Sequence, residues 1–381
     1  MILRYNTVFA VIALLLVLQQ SAFAGDLVPF PTQPEGVPFP SEIWPEFDRG
    51  HSLRRRVESV IGAAFHGERP AALARTRAVV VVSGGRILAE RYADDIQPHT
   101  RLQSWSMAKS FLHAALGVAV ADGFINPDLP AKVPEWEAPG DPRHAITIRE
   151  LAQMTDGLVF DEDYSNPGSA AMQMLFGAGR GDVGRAAAVT RFGHVPGTHW
   201  SYSSGSANIL SRVLRSALGG RAQYRSFLNN KLFKPLGITS AVAEFDAAGT
   251  WIGSSYIHAT ARDYARFGLL YLRGGVWGKE RIVPQEWIDI GRTPTLPSKG
   301  QYGALFWLNA LDPDTGAPAI TPDLPTDTFL ARGFGGQLIA IVPSRDVVMV
   351  MLNAAYTDDT SPIARLIGAI LAELHKQPPG N

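Results

Sequence analysis

Apolar positions change their period along the chain. From Ser52 to Phe65, Leu53, Val57, Val60, Ile61 and Ala64 recur at helical spacing, which predicts a surface helix. The pattern then tightens. "RAVVVVSGGRILAERYA" carries two β-branched or apolar runs around Ser83-Gly84-Gly85, a turn cluster suited to a hairpin. Near the other end "GGQLIAIVPSRDVVMVMLN" repeats that design, with strands on either side of a turn from Pro343 to Asp346. An apolar helix is expected from Pro362 to Leu374, and Pro362 suits a first helical position after Ser361. Between these ends, over about residues 105 to 250, the patterning is mostly helical and broken by Pro and Gly. Thr260-Ala261-Arg262-Asp263 forms a capping-box pattern ahead of "YARFGLLYL", so a helix should return the chain towards the strands.

Strand-rich ends around a helical middle predict an α/β (α+β) chain in which both ends share one antiparallel sheet flanked by the terminal helices. Residues 51–104 with 251–381 would form that sheet domain and 105–250 a mainly helical domain, with a cleft between them. Residues 25–50 are rich in Pro and Gly and read as an extended lead-in.

Composition narrows the class. The chain has 381 residues, 46% hydrophobic and 18% charged, as expected of a folded globular protein. Lysine plus arginine equals aspartate plus glutamate at 35 each, so no net field favours nucleic acid or an anionic membrane. The absence of Cys excludes disulfides, thiolate metal sites and a cysteine nucleophile. At the N-terminus, Arg4, an apolar run from Val8 to Leu18 and Ala22-Phe23-Ala24 follow the order of a secretory signal. The run is shorter than the ~20 residues that spanning requires. Residues 1–24 are therefore expected to be removed, leaving an exported protein, periplasmic or secreted, with no membrane association.

"QSWSMAKSFL" carries the candidate chemistry. With Ser106 at the first turn of an apolar helix, Lys109 lies on the same face one turn later. The helix N-terminus offers N–H groups and a partial positive charge to a developing oxyanion. Burial and that same field favour the neutral amine, which could then take the Ser106 proton. The isolated motif has another reading, with Ser106 as an N-cap and Lys109 solvated. Two further segments bear on the choice. In "VPGTHWSYSSGSANILSRVL" a helix is expected near Ser206, with Tyr202 just ahead of it. Its hydroxyl could share a proton with Lys109, or the residue could be an ordinary packed Tyr. In "ARGFGGQLIAIVP" glycines open a strand whose edge N–H, with that of Ser106, would make a two-donor oxyanion hole. A glycine-rich bulge without a role is the alternative.

Ser-x-x-Lys at a helix start, then "PGTHWSYSS", then "GFGGQ" opening a late strand, resembles the serine β-lactamase and penicillin-recognising family over nearly the whole mature chain. The likeness is closest to class C β-lactamase-like esterases and 6-aminohexanoate-dimer hydrolases. The resemblance implies Ser106 as acylated nucleophile, Lys109 as motif lysine, Tyr202 as the tyrosine of the Y-x-N element, and Phe334 as the backbone oxyanion donor beside Ser106. Gly335 follows on that strand as a substrate contact. It also implies that Tyr164, ending "FDEDY", lies on a loop closing over substrate, where a surface tyrosine is the alternative. Asp161, Glu162 and Asp163 would either attract an amine-bearing substrate or form a solvated loop. Ser204 stands where β-lactamases have Asn, facing substrate, and no K-T-G triplet occurs near the final strands. Those departures turn the expectation from β-lactamase or D,D-carboxypeptidase towards hydrolysis of a small ester or linear amide, without cofactor or metal. Ser206-Ala207-Asn208 matches S-x-N but should cap the helix instead.

Other hydrolase classes lack their motifs: no G-x-S-x-G and no H-E-x-x-H occurs, and the nine His are scattered. A catalytically silent binding protein on the same fold is the remaining rival.

Overall fold

The computed structural model describes residues 27–47, 51–355, 357 and 359–376. The expected leader, residues 1–24, lies outside the described residues.

Six strands form one antiparallel sheet: β1 (Thr76–Ser83), β2 (Arg86–Tyr92), β3 (Trp307–Leu308), β4 (Phe329–Gly333), β5 (Gln337–Val342) and β6 (Val347–Asn353), in the order β2-β1-β6-β5-β4-β3. The first and last thirds of the chain therefore meet at the β1–β6 pair, where Val80 lies opposite Val350. Ser83 pairs with Arg86, leaving Gly84 and Gly85 as a two-residue turn with φ of 56° and 71°. Both values lie in the left-handed region that a type I′ hairpin requires and glycine enters without a Cβ clash.

Alternate residues of these strands feed two cores. Val79, Val81, Leu338, Ala340, Met349 and Met351 face the terminal helices, α1 (Ser52–Gly62) and α5 (Ser361–His375). Val80, Val82, Ile339, Ile341, Val348 and Val350 face the larger core. Burial on both faces explains why these strands read as continuous apolar runs rather than as alternating ones. On the larger side the sheet is covered by α4 (Ala261–Leu272). A Cβ on its Gly268 would stand 2.5 Å from Val348, so helix and sheet approach more closely there than any side chain allows. The next layer is α2 (Ala108–Ala121), whose Phe111 stacks on Phe267 at 3.7 Å between centroids. Beyond α2 comes α3 (Ser204–Ala217), its neighbour in the helical region.

Three local expectations are corrected. Thr260 caps α4 by accepting from the Asp263 N–H, but the Asp263 carboxylate turns away to Ser240 and Arg266, so the box is not reciprocal. Helix α3 starts at Ser204 rather than near Ser206, because Ser203 is its cap and accepts from the Ser206 N–H. Ser106 precedes α2 on a 3-10 turn, Trp105–Met107, instead of occupying the first α-helical turn. The lead-in carries little regular structure yet is anchored, with Trp44 buried and the Arg266 guanidinium donating to the Pro40 carbonyl.

Candidate active site

Ser106 is held by its flanking residues. Ser104 donates its backbone N–H to the Ile257 carbonyl and accepts the Ile257 N–H on its hydroxyl. Trp105 then turns the chain with a φ of 45°, a left-handed conformation that a bulky side chain adopts only under constraint from its surroundings. Its ring packs edge-on to Phe334 and tilted on Tyr256.

Lys109 is 1% exposed, so the solvated-lysine alternative fails. Its Nζ has three oxygen neighbours at 3.0 Å: Ser106 Oγ, Ser204 Oγ and the Ser254 carbonyl. The carbonyl only accepts, and Ser204 Oγ spends its one proton on Glu162 Oε1, 2.5 Å away. A neutral amine thus fills both acceptors with its two N–H bonds and aims its lone pair at the Ser106 hydroxyl. An ammonium keeps the same three partners. Moving one proton from Oγ to Nζ requires no rearrangement.

Tyr202 stands beside this pair, but not as expected. Lys109 Nζ lies 4.8 Å from the centroid of its ring, and the Tyr202 hydroxyl is not among the hydrogen-bond partners of the amine. An ammonium has only three donors, and all are taken. The contact is a cation–π one. Tyr202 also packs on Trp307, over whose ring Arg332 sits at 5.2 Å, so the three make a continuous wall. Burial holds the Arg332 guanidinium below its usual pKa.

Ser204 is fully buried, with its hydroxyl shared by Lys109, Glu162 and Tyr164, so it holds the amine rather than facing substrate. Ser206 is no cap. Its hydroxyl donates to Asp156, whose carboxyl is pushed up to about 6 by burial despite that bond. Asn208 Oδ1 accepts the Ser254 N–H and so fixes the carbonyl that Lys109 bonds.

The glycine-rich strand end meets the nucleophile. A Cβ on Gly333 would lie 2.3 Å from the Ser104 carbonyl and 3.2 Å from the Ser106 nitrogen, so only glycine allows this approach. Phe334 follows immediately, exposed at the mouth, with Tyr164 6.3 Å from it between centroids. Gly335 takes a φ of 76°, and its carbonyl accepts the Ala355 N–H. The other side of this strand end opens on a cavity of about 500 Å³ that Arg332, Phe334 and Ile363 help to line; neither Ser106 nor Lys109 borders it.

Tyr164 is partly exposed, yet its hydroxyl donates to Glu162 Oε1 at 2.8 Å and lies 3.2 Å from Ser204 Oγ. Burial first, and the Glu162 charge second, raise its pKa well above that of an ordinary phenol. Of the three loop acids only Glu162 turns inward; Asp161 and Asp163 are exposed and accept backbone N–H groups of their own loop. Sequence reasoning did not place Ser254, Trp307 or Arg332 here, and it weighed Glu162 only as an attractor of a substrate amine or a solvated loop acid. The one available signal was the position of Glu162 two residues before Tyr164.

Comparison with known proteins identifies the family. A curated relative, the 6-aminohexanoate-dimer hydrolase of Paenarthrobacter ureafaciens, is 25% identical over 322 residues, which covers 79% of this chain and 78% of the relative. Among solved structures, a Bacillus anthracis protein named provisionally as a 6-aminohexanoate-dimer hydrolase superposes with a TM-score of 0.68 at 18% identity, covering 94% of this chain and 95% of that one. A family VIII carboxylesterase gives 0.63 at 15% identity, over 85% and 98%. The Beta-lactamase family model matches residues 68–372, and the chain belongs to that family, as a serine hydrolase acting on small molecules.

Proposed function

We propose that the protein hydrolyses small carboxylic esters or linear amides through an acyl-enzyme on Ser106. The observation that carries this reading is the dry amine of Lys109, 3.0 Å from Ser106 Oγ. Lys109 takes the Ser106 proton as Oγ attacks the carbonyl carbon. The carbonyl electron pair moves onto oxygen, where the N–H groups of Ser106 and Phe334 receive it. Lys109 returns the proton to the leaving group, and Tyr202 is assigned a part in this transfer on the family resemblance, since its ring rather than its hydroxyl meets the amine. Water then repeats the sequence and releases the acid. Tyr164 and Phe334, at the mouth, are the substrate-contacting side chains. The relatives' names support an ester or linear amide, and the absence of a K-T-G triplet weighs against a β-lactam. The leader pattern supports action outside the cytoplasm.

An active-site-directed fluorophosphonate should label the folded protein, and Ser106→Ala should abolish labelling. Unlabelled wild-type protein would indicate a silent binding protein instead. Parallel assays with p-nitrophenyl esters, short linear amides and nitrocefin should show turnover of the first two classes well above the third, and the reverse order would return the assignment to β-lactamase.

A further inference from the structure

Glu162 and Lys109 are an acid and a base without a direct ionic partner. Lys109 is buried and Glu162 half-buried in the same site, and among the described residues their polar partners are hydroxyls, a carbonyl and a backbone N–H rather than opposite charges. What joins them is one hydroxyl. Lys109 Nζ donates to Ser204 Oγ at 3.0 Å, and Ser204 Oγ donates to Glu162 Oε1 at 2.5 Å. The direction of both bonds follows from proton inventory: a carboxylate has no proton to give, so the serine must donate to it and accept from the amine. The second carboxylate oxygen accepts the Ser204 backbone N–H at 2.7 Å, which fixes Glu162 against the first residue of α3. Tyr164 adds a third bond at 2.8 Å.

We infer that Glu162 is a positioning residue for the reaction, acting through Ser204 to stabilise the ammonium that forms on Lys109 when Ser106 attacks. The step itself is the one already described: the Ser106 proton moves to Nζ, the Oγ–C bond forms, and the carbonyl pair goes to oxygen. Glu162 stays ionised and takes no proton. Its charge polarises Ser204 Oγ, making that oxygen a stronger acceptor as positive charge grows on its neighbour. The gain is therefore larger in the transition state than in the resting site, which is the condition for raising the rate. The arrangement extends a serine–lysine pair into a chain of four groups, Ser106, Lys109, Ser204 and Glu162, in which a serine hydroxyl transmits what a directly bonded carboxylate supplies in a Ser-His-Asp triad.

This inference rests on the acyl-enzyme reading, and the experiment separates the two. Acylation of the full-length protein by p-nitrophenyl acetate is read as the pre-steady-state release of p-nitrophenol, with melting temperature as a folding check. Glu162→Gln should lower the acylation rate roughly tenfold or more while KM stays within about twofold, the split expected for an interaction made only in the transition state. Ser204→Ala should do the same. Adding Glu162→Gln to Ser204→Ala should then cost almost nothing more, because the carboxylate has lost its conduit. Multiplicative losses in that pair, with non-additivity appearing instead between Glu162→Gln and Tyr164→Phe, would overturn the relay and make Glu162 an anchor for Tyr164. If Glu162→Gln fails to fold, Ser204→Ala alone decides, and an unchanged acylation rate overturns the proposal. Persistence of the burst in Ser106→Ala would sink the acyl-enzyme reading itself, whatever Glu162 does.

Discussion

Along β1, β5 and β6 successive side chains go to opposite faces of the sheet, and the two sides are filled differently. Towards α1 and α5, Val79, Val81, Met349 and Met351 meet Val57, Ile61, Ile367 and Ile370 in an apolar layer. Towards α4 the first layer is equally apolar, but behind it lie groups that an apolar core does not need: Lys109, Ser204, His113 and Asp156, all buried. The cost shows in their protonation. Burial drives His113 down to about 3 and Asp156 up to about 6, each away from its charged form. One side of the sheet maximises stability. The other gives some of it up to hold polar groups dry, where their interactions are stronger.

Substitutions on the two sides should separate accordingly. The largest effect is expected for Lys109→Ala, which should cut turnover of a short p-nitrophenyl ester by on the order of 10³, equivalent to about 4 kcal/mol of transition-state stabilisation. Near-normal rates would erase the functional distinction between the two sides. Ile370→Ala, in the outer layer, should lower the free energy of unfolding by about 2–5 kcal/mol while the folded protein keeps its kcat. A fall in kcat measured well below the melting transition would show that the outer layer also tunes the site.

His113 gives a smaller, pH-dependent effect. Its folded pKa, about 3, lies below the ordinary 6.5, so the unfolded chain binds the proton first. The stability it contributes is complete above pH 6.5 and is lost as pH falls through the window down to about 3. Asp156 runs the other way: its folded pKa of about 6 exceeds the ordinary 3.8, so acidification across that window relieves a cost. Comparing wild type with His113→Gln isolates the first contribution. Between pH 7 and 5 the variant should lose about 2 kcal/mol less than wild type in denaturant unfolding. Equal losses would mean that His113 is charged in the native core. The smallest effect is expected for Tyr202→Phe, which keeps the ring under the amine and removes only the hydroxyl. A fall in kcat of about tenfold would support its part in proton transfer, whereas an unchanged kcat would reduce Tyr202 to a cation–π wall.

The sheet was legible because its information is local. Val79 to Val82 and Val347 to Leu352 are apolar on both faces, and the Gly84-Gly85 turn needs no distant partner to be recognised. The pairing of Ser106 with Lys109 was legible for the same reason, since one helical turn brings the two together. The start of α3 was misplaced by two residues because four serines in "SYSSGS" can each cap a helix, and only packing selects Ser203. The role of Ser204 was missed because its partners, Lys109 and Glu162, stand 95 and 42 residues away.

By itself the sequence determined the elements, the two-sided burial of the strands, the absence of thiol chemistry and a serine with a lysine one turn beyond it. Each of those depends on spacing within a few residues. The tertiary structure alone decided that the amine is dry, that the Ser254 carbonyl and Ser204 hydroxyl take its other two bonds, and that one loop acid of three turns inward. A hydrogen bond is directional and short, so its partner is settled only when segments far apart in the chain are packed to within an ångström.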